Sequence, residues 1–144
     1  MKKYKMDLIQ LEQNIISKKT FLCLGLDTDI DKIPKHLLNS QDPVFDFNKS
    51  LVDRLSSKIV AVKINTAFYE SRGKDGWSSL EKSIDYIKSN HPHLFTIADA
   101  KRADIGNTSS MYAKAFFEKM NFDSITLSPY MGEDSVREFL KYDD

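Results

Sequence analysis

Phe95-Thr96-Ile97-Ala98-Asp99-Ala100-Lys101-Arg102-Ala103-Asp104-Ile105-Gly106 changes character halfway along. Residues 94–98 are mostly apolar and too few for a helix, and charged residues and a glycine follow. The stretch reads as a buried strand whose carboxyl end carries charge. Side chains alternate along an extended chain, so Asp99 and Lys101 share a face with Phe95 and Ile97. Asp104 lies three residues further on, where the chain turns toward Gly106 and the next helix.

Three other runs have the same form: residues 21–26, 59–64 and 124–127. Each ends in polar residues, with Asp27 after the first, Asn65 after the second and Ser128-Pro129-Tyr130 after the fourth. The segments between them have helical period. Val44, Phe47, Leu51 and Leu55 recur at spacings of three and four, as do Trp77, Leu80, Ile84 and Ile87. Tyr112, Phe116 and Met120 repeat every fourth residue, a last helix covers 135–142, and an extra one is expected over 6–17 at the start. Alternating strand and helix imply an α/β fold with a parallel sheet and right-handed crossovers. Four units could form an open sheet or half of an eight-stranded barrel, and no linker divides residues 1–144 into domains. The loop with the most turn residues is Ser71-Arg72-Gly73-Lys74-Asp75-Gly76.

In either architecture chemistry gathers past the carboxyl ends of the strands. By alternation Lys63 faces the same way as Ala61 and Asn65. Lys63, Lys101, Asp99 and Asp104 could therefore meet at one mouth. Each has a plainer reading: a strand-end aspartate such as Asp27 often caps a turn, and a surface Lys-Asp pair contributes little. Several charges among apolar neighbours are harder to dismiss, because burying one unpaired is costly.

The 144 residues include 21 basic and 21 acidic side chains, 41% hydrophobic and 29% charged residues. This is a globular composition with no net field to attract nucleic acid or an anionic membrane. No apolar run reaches the ~20 residues of a membrane span. The basic start has no apolar stretch after it, which argues against a secretory signal and for the cytoplasm. The single Cys23 sits mid-strand and is expected to be a small buried residue. His91-Pro92-His93 precedes the third strand, has no nearby ligands to complete a metal site, and reads as loop. No G-x-G-x-x-G or P-loop spacing occurs.

Asp99-Ala100-Lys101-Arg102-Ala103-Asp104 resembles the D-x-K-x-x-D signature of the orotidine 5′-phosphate decarboxylases, in their longer bacterial branch. Leu24-Gly25-Leu26-Asp27 is similar to the family's first strand. Residues Val62-Lys63-Ile64-Asn65-Thr66-Ala67-Phe68-Tyr69-Glu70 resemble its second strand and loop, and Ser128-Pro129-Tyr130-Met131-Gly132 its fourth. Ala103 stands where this branch often has glycine, a difference the spacing tolerates.

The resemblance implies the first four β/α units of a TIM (β/α)8 barrel with an extra N-terminal helix, residues 1–144 forming its amino-terminal half. It implies conversion of orotidine 5′-monophosphate to UMP and CO2 by a homodimer, with no metal or organic cofactor. Lys63, Asp99, Lys101 and Asp104 match the family's charged tetrad. Lys101 would be the proton donor to C6 of the pyrimidine, and Asp99 would face the substrate carboxylate. Asp27 would hold the ribose hydroxyls, and Asp104, Ile105 and Thr108 would reach across the dimer to the neighbouring site.

Related magnesium-dependent sugar-phosphate decarboxylases and synthases share the signature, but end their second strand in a carboxylate where this chain has Lys63. The family holds the substrate phosphate with groups after its later strands, and nothing in residues 1–144 resembles them. A complete barrel is ~250 residues. The isolated chain is therefore expected to be inactive or nearly so, with the edges of its first and fourth strands open. The rival reading is a non-catalytic half-barrel that serves as an assembly unit.

Overall fold

A computed structural model describes residues 5–142. Its elements are α1 (Leu8–Lys18), β1 (Cys23–Gly25), α2 (Pro43–Leu55), β2 (Ala61–Asn65), α3 (Ala67–Glu70), α4 (Gly73–Asn90), β3 (Phe95–Arg102), α5 (Gly106–Ala113), β4 (Ser124–Leu127) and α6 (Asp134–Leu140). A π-helical stretch, Lys114–Lys119, continues α5. All four strands are parallel and lie in chain order, β1-β2-β3-β4. Doubly wound sheets reverse their strand order at a switch point, whereas barrels add each strand beside the last. The order therefore resolves the two architectures left open by the sequence: this is half a β/α barrel.

Alternation along the strands separates two faces. Leu24, Val62, Ile64, Ala98, Ala100 and Ile125 pack against Val44, Val52, Tyr69, Leu80, Ile84, Ile87 and Phe116 of the helices, forming the main core. Cys23, Lys63, Asn65, Ile97, Asp99 and Thr126 point the other way and keep some exposure. Cys23 is exposed, contrary to the expectation of a buried residue. Its side chain lies on the inner face of an edge strand, which no other element among the described residues covers.

Local signals account for several helix starts. Asp7 caps α1 in a reciprocal capping box with Gln10, and Asp42 caps α2 with Pro43 at its first position. α1 is strapped across the amino ends of the strands. Lys18 Nζ donates to the carbonyls of Ser56 and Ile59, both at 2.8 Å, Asn14 donates to the His93 carbonyl, and the Met6 amide donates to Asp123.

Several boundaries differ from the sequence reading, among them that of β1, which covers only Cys23–Gly25 of the expected 21–26. β3 extends through Arg102, so the charged run is part of the strand. The expected loop over 71–76 is largely the start of α4, which begins at Gly73 with φ 58°. Gly76 serves close packing instead of a turn: a Cβ there would lie 1.8 Å from the Tyr69 carbonyl oxygen. His91-Pro92-His93 forms the expected link between α4 and β3, with His91 2.9 Å from the Asp53 carboxylate.

Replacing Gly76 with alanine in a helix would ordinarily stabilise it by ~1 kcal/mol. Here the clash should reverse the sign, giving a net loss of ~1–3 kcal/mol in urea unfolding. An unchanged or raised midpoint would contradict the packing described for the α3–α4 turn.

Candidate active site at the carboxyl ends of the strands

Four side chains from three strands or strand ends meet on the inner face. Register places Asn65 beside Asp99 and Gly25 beside Lys63. Lys63 Nζ donates to Asp99 Oδ2 at 3.0 Å and lies 3.5 Å from Asp27 Oδ1. Lys101 Nζ donates to Asp99 Oδ1 at 2.7 Å. The Asp99 side chain is only 12% exposed, whereas that of Lys101 is 61% exposed. Asp99 is thus the floor of the site and Lys101 its most accessible charge.

Thr126, which the sequence reading passed over, ties this floor together. Its hydroxyl donates to Asp99 Oδ1 at 2.9 Å and accepts the Lys101 amide at 3.0 Å. The pairing of β3 with β4 slips here, with Ala98 opposite Ile125 and Arg102 opposite Leu127. The bulge takes Asp99, Ala100 and Lys101 out of regular register, and Lys101 adopts a left-handed backbone with φ 49°. The Thr126 hydroxyl replaces a ladder partner for the displaced amide. Alternation from Ser124 on the inner face would have found it.

Asp27 is positioned from behind by a buried polar network. Tyr69 donates to the Leu26 carbonyl at 2.9 Å, and Asn48 donates to Tyr69 and Ser83 while accepting from Thr28 at 2.6 Å. These bonds hold both neighbours of Asp27 and leave its carboxylate turned to the inner face. Asp104 is not drawn into the cluster. Its carboxylate accepts the Ile105 amide at 2.8 Å in the turn leading to α5, beside exposed Ile105 and half-buried Thr108.

Burial pushes the Asp99 carboxyl up, but hydrogen bonds from Lys101, Lys63 and Thr126 outweigh it and hold it at about 2. Burial likewise lowers Lys63. The hydrogen bond to Asp99 and the charges of Asp27 and Asp99 more than compensate, so its ammonium is held above the ordinary range. Among the described residues no group of three or more His, Cys, Asp or Glu is arranged to hold a metal ion. No helix of those residues is long and apolar enough to cross a membrane.

A half-barrel with a fixed Lys-Asp-Lys array at its carboxyl mouth has the design of a β/α-barrel enzyme site. A family model described as orotidine 5′-phosphate decarboxylase / HUMPS matches residues 20–144, and the chain belongs to that family. It is 59% identical over 135 residues to the orotidine 5′-phosphate decarboxylase of Flavobacterium johnsoniae, covering 94% of this chain and 50% of that relative. The Bacteroides fragilis enzyme of the same name is 59% identical over 133 residues. The solved OMP decarboxylase of Leishmania donovani superposes with a TM-score of 0.77 at 31% identity, covering 94% of this chain and 49% of that one. A Toxoplasma gondii structure assigned to an orotidine-monophosphate decarboxylase reaches 0.87 at 30% identity, covering 96% and 46%. The chain spans about half the length of the curated relatives it matches.

Asp99 links the site to acid stability. Its folded value of about 2 lies below the unfolded 3.8, so between them the unfolded chain binds more protons. The contribution is complete above pH ~4 and fades as pH falls toward 2. Asp99→Asn should therefore flatten the acid limb of a stability-against-pH profile across that window. An identical slope in the variant would remove Asp99 as its source.

Proposed function

We propose that this chain carries the proton-transfer and ribose-binding half of an orotidine 5′-monophosphate decarboxylase, which forms UMP and CO2. The observation that carries the reading is Asp99 held between the ammonium groups of Lys63 and Lys101, at 3.0 and 2.7 Å. Membership of the family supports the substrate class.

The reaction breaks the bond between C6 of the pyrimidine and its carboxylate, and the electron pair stays on C6. No neighbouring π system accepts that pair, so stabilisation must come from fixed charge. The Lys101 ammonium favours the developing negative charge, then transfers a proton from Nζ to C6, and the neutral amine regains its proton from solvent. Asp99 orients that ammonium and, facing the substrate carboxylate, disfavours the ground state. This repulsion disappears as CO2 departs, although preorganised electrostatics is the larger contribution. Lys63 keeps Asp99 ionised and links it to Asp27, whose exposed carboxylate suits two vicinal hydroxyls of a ribose. Residues 104–108, which begin with an Asp104 held by the Ile105 amide and outside the cluster, suit a role at the neighbouring site of a cytoplasmic homodimer. A lysine at position 63, in place of a carboxylate, favours a reaction without magnesium.

Binding energy from a remote phosphate organises a reacting centre, so the 144 residues alone should turn over little or no substrate. Fused to the second half of the Flavobacterium johnsoniae relative, the chain should release CO2 and form UMP in the presence of EDTA. Lys101→Ala in that fusion should lower kcat by about 10²–10⁴-fold. A folded fusion without decarboxylation, or one unaffected by Lys101→Ala, would overturn the reading. So would a strict requirement for magnesium.

A further inference from the structure

Lys101 is the most exposed member of the cluster, with a long side chain on a left-handed residue in a bulge. Such a backbone is uncommon for a residue with a Cβ, and persists where the surroundings impose it. The Thr126 hydroxyl holds the amide on one side. On the other side Arg102 turns away from the inner face and into the helical layer. Its guanidinium pairs with Glu70 at the end of α3 and donates to the Ala100 carbonyl at 2.9 Å. It also lies against two rings of the α5 region, 5.3 Å from the centroid of Tyr112 and 5.4 Å from that of Phe116. The Arg102 carbonyl accepts the Ser128 amide at 2.9 Å, which restores pairing with β4 beyond the bulge.

We propose that Arg102 is a positioning residue for Lys101: anchored by Glu70, Tyr112 and Phe116, it fixes the bulge that sets the Lys101 ammonium on Asp99. The inference deepens the decarboxylase reading by naming what aims the proton donor. Its alternatives are limited by the geometry. An arginine serving only as a surface ion pair would have a solvated head group, but this side chain is 19% exposed and its Nε is buried without a hydrogen-bond partner among the described residues. The anchoring is maintained by contacts with three elements: β3, α3 and the α5 region. The planar guanidinium suits both the carboxylate and the ring faces, a combination lysine cannot reproduce.

The test needs no substrate, so it stands or falls apart from the decarboxylase reading. The groups facing Asp99 are Lys63, Lys101 and Thr126, and the Asp99 carboxyl can be titrated by carbon-13 NMR in the 144-residue chain. Lys101→Met supplies the reference, raising the Asp99 value by removing one hydrogen bond. Arg102→Met should raise it by about the same amount, and the double variant should raise it no further. Glu70→Gln, which preserves shape and loosens the anchor, should move it in the same direction by less and keeps the test open if Arg102→Met does not fold. A merely structural role would lower thermal stability in these variants while Asp99 titrated as in the parent. That result, or strict additivity of Arg102→Met with Lys101→Met, would overturn the proposal.

Discussion

The Asp99 carboxylate accepts from Lys63 on β2, Lys101 on β3 and Thr126 on β4, so one side chain cross-links three adjacent strands at their carboxyl ends. A single exposed lysine-aspartate pair would contribute little to stability. Here the carboxylate is mostly buried, and the bonds it accepts depend on correct register in both flanking ladders. The same arrangement makes the site chemically useful. It keeps two ammonium groups close together without mutual repulsion dominating, and presents the more exposed of them to the mouth.

At the opposite end another buried carboxylate has a structural role. The side chain of Asp123 is completely buried, and it accepts from Lys88 at 2.6 Å, from the amide and hydroxyl of Thr96, and from the Met6 amide. Burial pulls Lys88 below its ordinary range despite this partner. Losing one member of such a pair would leave an uncompensated buried charge. The network joins α4, β3 and β4 to the segment leading into α1, which straps the amino ends of the strands. Stability therefore concentrates at the amino end and chemistry at the carboxyl end, the usual division in a β/α barrel.

Between the two ends, the inner face of the sheet is organised by strand alternation together with register. Its outer counterpart is a continuous apolar core with the helices, whereas the inner positions change from apolar Phe95 and Ile97 to charged Asp99 and Lys101 along a single strand. Register and sequential strand order bring Lys63 and Thr126 alongside. The bulge is the one interruption, and it falls where the polar side chains gather.

Much of this was legible in the residues themselves. The run from Phe95 to Lys101 carries a period of two that puts Asp99 and Lys101 on one face, and the same period places Lys63, because backbone geometry dictates alternation whatever surrounds the strand. The caps at Asp7 and Asp42 are equally local, although the sequence reading did not single them out. Tertiary structure decided the rest. Whether the four units made an open sheet or a half-barrel depended on strand order, which residues distant in sequence establish by packing. Asp104 turned into its own loop while Asp27 joined the lysines, since convergence depends on the path of the chain after each strand. Gly73 and Gly76 read as loop residues because their true constraints, a left-handed helix start and close approach to Tyr69, involve a backbone path and a neighbour that no local pattern encodes. The left-handed Lys101, pinned between Thr126 and Arg102, has the same origin: its conformation is imposed by partners on β4, α3 and the α5 region.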